Sequence, residues 1–225
     1  MAGRVHPRQL AFALPHAESL SRDNFLEGPA NAAAVALIDA WPEWPNRIMW
    51  LAGPEGSGKS HLAAIWAEEA GARSTTANAL TAAAVPGALA TGALVVEDLK
   101  SGEFDERALF HLVNLAREDG AFVLFTGRDV PAALDVELHD LRSRLRAVPV
   151  VALQPPDDRL FRALIVKFCA DRQMTIDEGV VGYLATRLER SSAAARHAVE
   201  LLDGEALRQG RPVTRALAAE LLRGG

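Results

Sequence analysis

Apolar residues in the first two thirds of the chain alternate between short continuous runs and amphipathic stretches. The runs predict buried strands, and the stretches, most of them closed by glycine or proline, predict helices between the strands. We expect strands at residues 47–52, 93–96, 121–126 and 148–153, and helices at residues 29–40, 57–70, 104–118 and 136–146. Strands that alternate with helices indicate an α/β domain, in which helices cover both faces of a parallel sheet.

The pattern changes at Pro155-Pro156, after which no further strand is predicted. Helical periodicity instead predicts helices at residues 157–173, 177–190 and 192–209, and a short last helix that Thr214 would cap. We therefore divide the chain into three parts. These are an N-terminal arm over residues 1–22, an α/β domain over residues 23–154 and a helical domain over residues 155–225.

Composition excludes several classes of protein. The 225 residues are 49% hydrophobic and suit one medium domain with a small appendage, and no apolar run approaches the roughly 20 residues of a membrane-spanning helix. The N-terminus is a poor signal peptide, so we expect a cytoplasmic protein. The single cysteine, Cys169, rules out an intramolecular disulfide and predicts a buried, inert thiol. A net charge of −5 argues against strong non-specific DNA binding.

A glycine-rich segment between the first predicted strand and the following helix has the chemistry of a phosphate-binding loop. It matches G-x-x-x-x-G-K-[ST] and includes Gly53, Glu55, Gly56, Ser57, Gly58, Lys59 and Ser60. Its glycines let successive backbone N–H groups point at phosphate oxygens, and the helix N-terminus adds positive potential. Lys59 would bind the outer phosphates of ATP or ADP, and Ser60 would bind Mg²⁺.

Two acidic residues, Glu97 and Asp98, follow the second predicted strand. In phosphate-loop ATPases the first such acid is usually aspartate, which holds the magnesium shell, and the second orients the attacking water. The order is inverted here, so we predict nucleotide binding with Glu97 beside Mg²⁺, but weak or no intrinsic hydrolysis. Thr126 ends the third strand, where its hydroxyl either contacts a terminal phosphate or water, or reflects β propensity alone.

Three motifs resemble the DnaA branch of the AAA+ ATPases. Gly58-Lys59-Ser60-His61-Leu62 is similar to the start of that branch's first helix. The segment from Asp23 to Asn31, with Phe25 and Leu26, resembles the part that wraps adenine. Residues 140–145 resemble the box that carries an arginine finger, which would be Arg144. The resemblance begins near residue 9 and implies an AAA+ domain with a five-stranded parallel sheet and a small helical lid.

The arm carries a short apolar tag with a leading glutamine. Gln9, Leu10, Phe12 and Leu14 resemble the tag by which the Hda family, regulators related to DnaA, binds the DNA sliding clamp. Short extended peptides with apolar anchors are a common recognition mode, although such a tag could also pack on its own domain. Because the sequence ends after the predicted lid, no further DNA-reading domain and no sequence-specific DNA binding are expected.

This resemblance implies an action in trans. The clamp-bound regulator would dock on the ATP-bound DnaA initiator and insert Arg144 beside the initiator's γ-phosphate. Its own nucleotide, which we expect to be ADP, would act as a structural switch more than as a fuel, and the resemblance leaves a homo-oligomer open. Spacing alone leaves Arg144 as one of three surface arginines on a helix, with Arg142 and Arg146.

One position departs from the family. The lid arginine that usually reaches the phosphates aligns with Ala193. Arg196, one turn later, either replaces that arginine or does not reach the phosphates at all. Two other functions stay open: a helicase loader or transposition helper built on the same core, and a small-molecule kinase. The sequence contains no recognisable phosphoacceptor signature, and the first alternative usually carries a folded partner domain or basic DNA-binding segments.

Overall fold

A computed structural model describes residues 20–223 of the chain. The predicted clamp tag at residues 9–14 lies outside the described residues. The strands are β1 (Ile48–Ala52), β2 (Arg73–Thr76), β3 (Ala93–Leu99), β4 (Phe122–Gly127) and β5 (Val150–Ala152). The α-helices are α1 (Ala32–Asp39), α2 (Lys59–Ala70), α3 (Val85–Ala88), α4 (Glu106–Asp119), α5 (His139–Arg146), α6 (Asp158–Asp171), α7 (Glu178–Ala185), α8 (Ser192–Gln209) and α9 (Arg215–Leu221).

The five strands form one parallel sheet in the order β2-β3-β4-β1-β5. In the paired strands β1 and β4 every residue except Thr126 and Gly127 is apolar, and Trp50 of β1 lies opposite Phe125 of β4. Side chains from helices bury both faces of these strands, so they read as continuous hydrophobic runs instead of alternating ones. The predicted α/β class and five-stranded parallel sheet are confirmed.

Two hydrophobic cores lie on opposite faces of the sheet. One contains Trp50 and Phe125 and is closed by α3, α4 and α5. The other contains Leu51 and Trp66 and is closed by α1 and α2. Helices on both faces leave the carboxyl ends of the strands as the open edge where a ligand can bind.

The polar edge strand β2 was not among the strands expected from the apolar pattern. It contains no apolar residue, and within the described residues 20–223 it pairs only with β3, with Thr76 opposite Glu97. An edge strand that contributes little to the core gives no hydrophobic signal. The adjacent strand β3 is longer than predicted, because it continues through Glu97 and Asp98 to Leu99.

Side-chain hydrogen bonds shift the starts of two helices. Both carboxylate oxygens of Glu106 accept from the backbone N–H groups of Glu137 and Leu138, each at 2.7 Å. These bonds hold that segment extended, so α5 begins at His139 and not at residue 136. Asn31 has the same effect before α1, since its side chain accepts from the backbone N–H of Gly28 and donates to the backbone carbonyl of Leu26.

The helical part after residue 155 has its own hydrophobic core, which includes Phe161, Ile165 and Val199. Thr214 caps α9 as predicted, by accepting a hydrogen bond from the N–H of Leu217.

Cys169 is buried, and burial raises the pKa of its thiol to about 11, so the thiolate that would react is scarce. Over residues 20–223, every helix is too short or too polar to cross a membrane. The exact division into domains stays a prediction.

Candidate nucleotide-binding site

The phosphate loop (residues 53–60) joins the end of β1 to the start of α2. Gly56 and Gly58 have φ angles of +68° and +101°, a conformation that other residues adopt at a cost. A Cβ atom on Gly58 would lie 3.1 Å from the ring of Phe25, so the loop needs glycine for space as well. At its beginning, the N–H of Gly53 donates to the carbonyl of Gly127 at 3.1 Å, which ties the loop to β4.

Lys59 folds back over the loop. Its ammonium group donates to the carbonyl oxygens of Gly53 and Pro54, both at 2.8 Å. Burial lowers the pKa of Lys59, while the nearby carboxylates of Asp98 and Glu55, in that order of strength, act to raise it. The loop thus holds a partly desolvated cation, and a cation in this state gains most from an anionic ligand.

The two acidic residues occupy different surroundings at the end of β3. Asp98 has a φ angle of +63°, and the register with β4 shifts between Val96 and Leu99. The backbone N–H of Asp98 donates to the hydroxyl of Thr126 at 3.2 Å. Asp98 lines the cavity described below, whereas Glu97 is half-buried and acts on Lys59 only electrostatically. Thr126 is buried, and its described contact is with Asp98.

The base segment (residues 23–31) lies against the other side of the loop. Asn31 closes its turn, since its side chain accepts from the N–H of Gly28 at 2.9 Å and donates to the carbonyl of Leu26 at 3.0 Å. The ring of Phe25 meets His61 edge-on, with centroids 5.1 Å apart. His61 donates through Nε2 to the carbonyl of Ser21 at 3.0 Å. These contacts hold residues 21–31 on the first turn of α2.

The lid (α6–α9) contacts the loop directly. The backbone N–H of Ser192, at the start of α8, donates to the carbonyl of Gly56 at 2.9 Å. A Cβ atom on Gly56 would lie 3.1 Å from the Cβ of Ala193, so Ala193 packs on the loop backbone. Arg196 lies one turn further, with its guanidinium 4.9 Å from the ring centre of Phe168, and burial lowers its pKa.

A cavity of about 800 Å³ opens between the loop, the base segment and the lid. Most predicted nucleotide-binding residues line it: Phe25, Leu26, Asn31, Glu55, Gly56, Ser57, Gly58, Lys59, Ser60, His61 and Arg196. Gly53 is buried beneath the loop, and Glu97 and Thr126 are not among the lining residues. Six cationic side chains and four carboxylates line the cavity, although the whole chain has a net charge of −5.

Several lining residues had no signal in the sequence. Lys100, Arg128 and Gln154 follow the ends of β3, β4 and β5, while Lys167, Phe168 and Glu200 come from the lid. Arg128 directly follows Thr126-Gly127, and its position just after a buried strand was the one sign in the sequence that it could reach the cavity. The lid residues are separated by whole helices from the loop, and nothing in their local pattern marks them as binding residues.

Two observations show that the residues of the loop are suited to bind a nucleotide phosphate. The glycines of the loop leave a cradle that a Cβ atom would narrow, and the buried hydroxyl of Ser57 has no hydrogen-bond partner within residues 20–223. The same part of the chain contains no cluster of three or more metal-ligating side chains. Mg²⁺ needs only one or two protein ligands when phosphates supply others, so Ser60 with one of the two acids would suffice.

Arg144 is not among the residues that line the cavity. Its guanidinium lies 5.3 Å from the ring centre of Phe110, which packs on the core closed by α3, α4 and α5. A smaller cavity of about 400 Å³ lies among residues 174–213 of the lid and includes none of the predicted site residues.

Comparison with known proteins relates the chain to replication initiators. No protein-family model matches it. The chain is 26% identical to the chromosomal replication initiator protein DnaA of Caulobacter sp. strain K31, over 91% of this chain and 48% of that protein. The DnaA of Thermomicrobium roseum is also 26% identical, over 90% and 49%. The chain therefore spans about half the length of these relatives.

Solved structures with the same fold include domain III of the Thermotoga maritima replication initiation protein DnaA. That domain has a TM-score of 0.76 and 22% identity, over 91% of this chain and 96% of the domain. AMPPCP-bound DnaA from Aquifex aeolicus has a TM-score of 0.66 and 19% identity, over 81% and 64%. The T. maritima RuvB branch migration motor has a TM-score of 0.72 and 19% identity, over 91% and 72%. The chain therefore shares the fold of these solved structures, including domain III of DnaA.

Proposed function

We propose that this chain binds an adenine nucleotide in the 800 Å³ cavity. The observation that carries the proposal is the convergence of three separate segments on that cavity: the phosphate loop, the base segment and the lid. The loop holds a partly buried ammonium group and a hydroxyl that has no hydrogen-bond partner among the described residues, and both are suited to phosphate oxygens. The AMPPCP-bound state of a DnaA with the same fold supports the choice of nucleotide.

Each part of the cavity has a role in this proposal. The N–H groups of residues 56–60 and the ammonium of Lys59 would bind the phosphates, and Phe25, Leu26 and Asn31 would enclose the base. Mg²⁺, when bound with the nucleotide, would neutralise charge between its outer phosphates. Ser60 would hold it together with Glu97 or Asp98. Asp98 has the better position of the two acids, since its carboxylate lines the cavity.

A thermal-shift titration tests nucleotide binding. Because a ligand that binds only the folded state stabilises it, ADP at 100 times its Kd should add about 2.7 kcal/mol to the free energy of unfolding. For a chain of this length, that corresponds to a rise of about 5–10 °C in Tm. GMP at the same concentration serves as a control for non-specific effects. An unchanged Tm with excess ADP and AMPPCP would exclude the proposal.

We further propose that the chain is a clamp-tethered regulator that stimulates ATP hydrolysis by the DnaA initiator. The placement of Arg144 supports this role, since the residue does not line the chain's own cavity and the ring of Phe110 supports its guanidinium. A guanidinium presented on the outer surface can enter the active site of a neighbouring AAA+ subunit. It would stabilise the charge that develops on that subunit's γ-phosphate, a contribution of roughly 10³–10⁵ in rate where measured.

ATP turnover by DnaA tests this second proposal. We expect stimulation with this protein and DNA-loaded clamp present together, and loss of stimulation when either is left out. Arg144→Ala should retain clamp and nucleotide binding but abolish stimulation, whereas Arg146→Ala, on the same helix, should stimulate normally. Gln9→Ala should fail to bind immobilised clamp. Normal stimulation by Arg144→Ala would refute the finger assignment, and a chain that ignores the clamp would favour a helicase loader or transposition helper.

A further inference from the structure

Arg128 stands at the junction between the phosphate loop and the acidic end of β3. It directly follows Gly127, which pairs with Ala52 of β1 on one side and with Leu99 of β3 on the other. A Cβ atom on Gly127 would lie 2.8 Å from the ring of Trp50, so the backbone is packed closely here. With the Gly53 N–H bonded to the Gly127 carbonyl, the position of Arg128 is fixed relative to the loop.

The side chain of Arg128 is not engaged by other described side chains or backbone groups. It is exposed and lines the cavity, and among residues 20–223 it forms no hydrogen bond or salt bridge. Its positive charge also acts to lower the pKa of Lys59, which means that the two cations lie within electrostatic reach of each other. Lys100, by contrast, is already paired with Asp98 at 3.7 Å and Glu103 at 3.9 Å. Arg128 is therefore a cation left available to a ligand.

The strand order tells which part of a nucleotide Arg128 would meet. The phosphate loop follows β1, which lies between β5 and β4. The base segment is on the β5 side, because the N–H of Gln154 donates to the carbonyl of Ala30 at 2.9 Å. Arg128 and Asp98 extend from β4 and β3 on the opposite side. A nucleotide with its base in the base segment and its phosphates over the loop would point its last phosphate toward Arg128.

We infer that Arg128 binds the terminal phosphate of a nucleoside triphosphate and sets the preference of the cavity for triphosphate over diphosphate. This inference rests on the proposed nucleotide binding and adds a specificity-determining residue to it. A guanidinium matches phosphate oxygens in a bidentate arrangement, and here it would act on the chain's own nucleotide. It would supply positive charge at the phosphate end of a site whose lid has alanine at position 193.

Paired affinities for AMPPCP and ADP test the inference. With Mg²⁺ in every sample, calorimetry would measure both Kd values for wild type, Arg128→Ala, Arg128→Lys and the surface control Arg117→Ala. We expect Arg128→Ala to weaken AMPPCP binding by about 10- to 100-fold, the range for a hydrogen-bonded charge pair. ADP binding should change by less than about 3-fold, because the interaction removed is one with the third phosphate. Arg128→Lys should recover part of the AMPPCP affinity, and Arg117→Ala should match wild type.

The possible outcomes distinguish the role of Arg128 from the proposed nucleotide binding itself. Equal loss for both nucleotides, or no loss for either, would overturn the role of Arg128 while nucleotide binding stands. Failure of the wild-type protein to bind either nucleotide would overturn both. The Tm of each variant without nucleotide shows that it is folded. Arg128 is exposed and has no hydrogen-bond or salt-bridge partner among residues 20–223, so its replacement gives no reason for a lower Tm.

Discussion

The two walls of the cavity are built in different ways. The loop wall consists of one contiguous segment, residues 53–60, whose backbone groups form the binding surface. Phe25, Leu153 and Ala193 leave too little room for a Cβ atom on its glycines. The lid wall consists of side chains from α6 and α8, such as Lys167, Phe168 and Arg196, which are far apart in sequence. The first wall is held by a main-chain hydrogen bond to β4, and the second by the core of a different helical unit.

Because the two walls differ in this way, we expect the loop wall to supply most of the affinity for a nucleotide and the lid wall to adjust to it. Backbone groups in a fixed conformation lose little entropy when a ligand binds, so the loop wall should supply most of the affinity. Long side chains on helices must be ordered at a cost of about 0.5–1.5 kcal/mol each, so each of them contributes less in net terms. The two walls touch through the bond from Ser192 to Gly56, and through the packing of Ala193 on the loop.

Removing one lysine from each wall gives the sharpest contrast. Lys59→Ala should weaken ADP binding by about 100-fold, because a charged donor at the phosphates is lost. Lys167→Ala should weaken it by only about 3-fold, since Lys167 is already paired with Asp171 at 2.6 Å. Fluorescence titration with a labelled ADP measures both values. Equal effects would show that the lid wall carries as much of the affinity as the loop wall.

The contact between the walls is tested at Gly56. Alanine there would need a φ angle of +68° and would meet the backbone nitrogen of Ala193 at 3.0 Å. We expect Gly56→Ala to lower the free energy of unfolding by about 2 kcal/mol, which is about 4–8 °C in Tm for a chain of this size.

Two further variants control the Gly56 experiment. Ala193→Gly in the same chain should restore part of the loss, because it removes one of the three close contacts that a Cβ atom on residue 56 would make. Gly204→Ala, within α8 and in open space, should instead raise stability by about 0.5–1 kcal/mol. A Gly56→Ala protein as stable as wild type would mean that the lid does not rest on the loop in solution.

The same contrast explains what the sequence could predict. Chemistry concentrated in one segment leaves a local pattern, so the phosphate loop and the base segment were recognised. Ten predicted residues of these two segments and the lid line the cavity, and so does His61 of α2. Arg128 and Lys167 reach the cavity through sheet order and helix packing, which no local pattern records. The polar strand β2 was missed for a related reason, since it lies at an edge and contributes no buried apolar residue.

Side-chain caps account for other differences. The carboxylate of Glu106 holds Glu137 and Leu138 out of α5 across 31 residues of sequence, and local periodicity cannot reveal such a bond. The positions of the two acids after β3 were also beyond prediction from the sequence. Glu97 and Asp98 are adjacent in sequence, yet the positive φ angle of Asp98 turns them toward different surroundings, and Asp98 alone lines the cavity.

The smallest expected effect concerns His61, where the base segment, the loop and the lid meet. Burial lowers the pKa of His61 below its ordinary value of 6.5, and the charge of Lys167 lowers it further, although the bond to Ser21 opposes both. The unfolded chain then binds a proton at a higher pH than the folded chain does. The stabilisation from neutral His61 is therefore complete above pH 6.5 and is lost as the pH falls through the folded pKa.

Urea unfolding between pH 8 and pH 5 measures this dependence. Wild type should lose more stability on acidification than His61→Gln, whose amide can still donate to Ser21 but does not titrate. His139→Gln, at a ring that is 85% exposed, should follow the wild-type slope and serves as the matched control. If His61→Gln and wild type lose stability in parallel, the histidine is solvated in solution and the base segment is not held closely on α2. The loop wall would then be the fixed part of the cavity, and the base segment would belong with the adjustable lid.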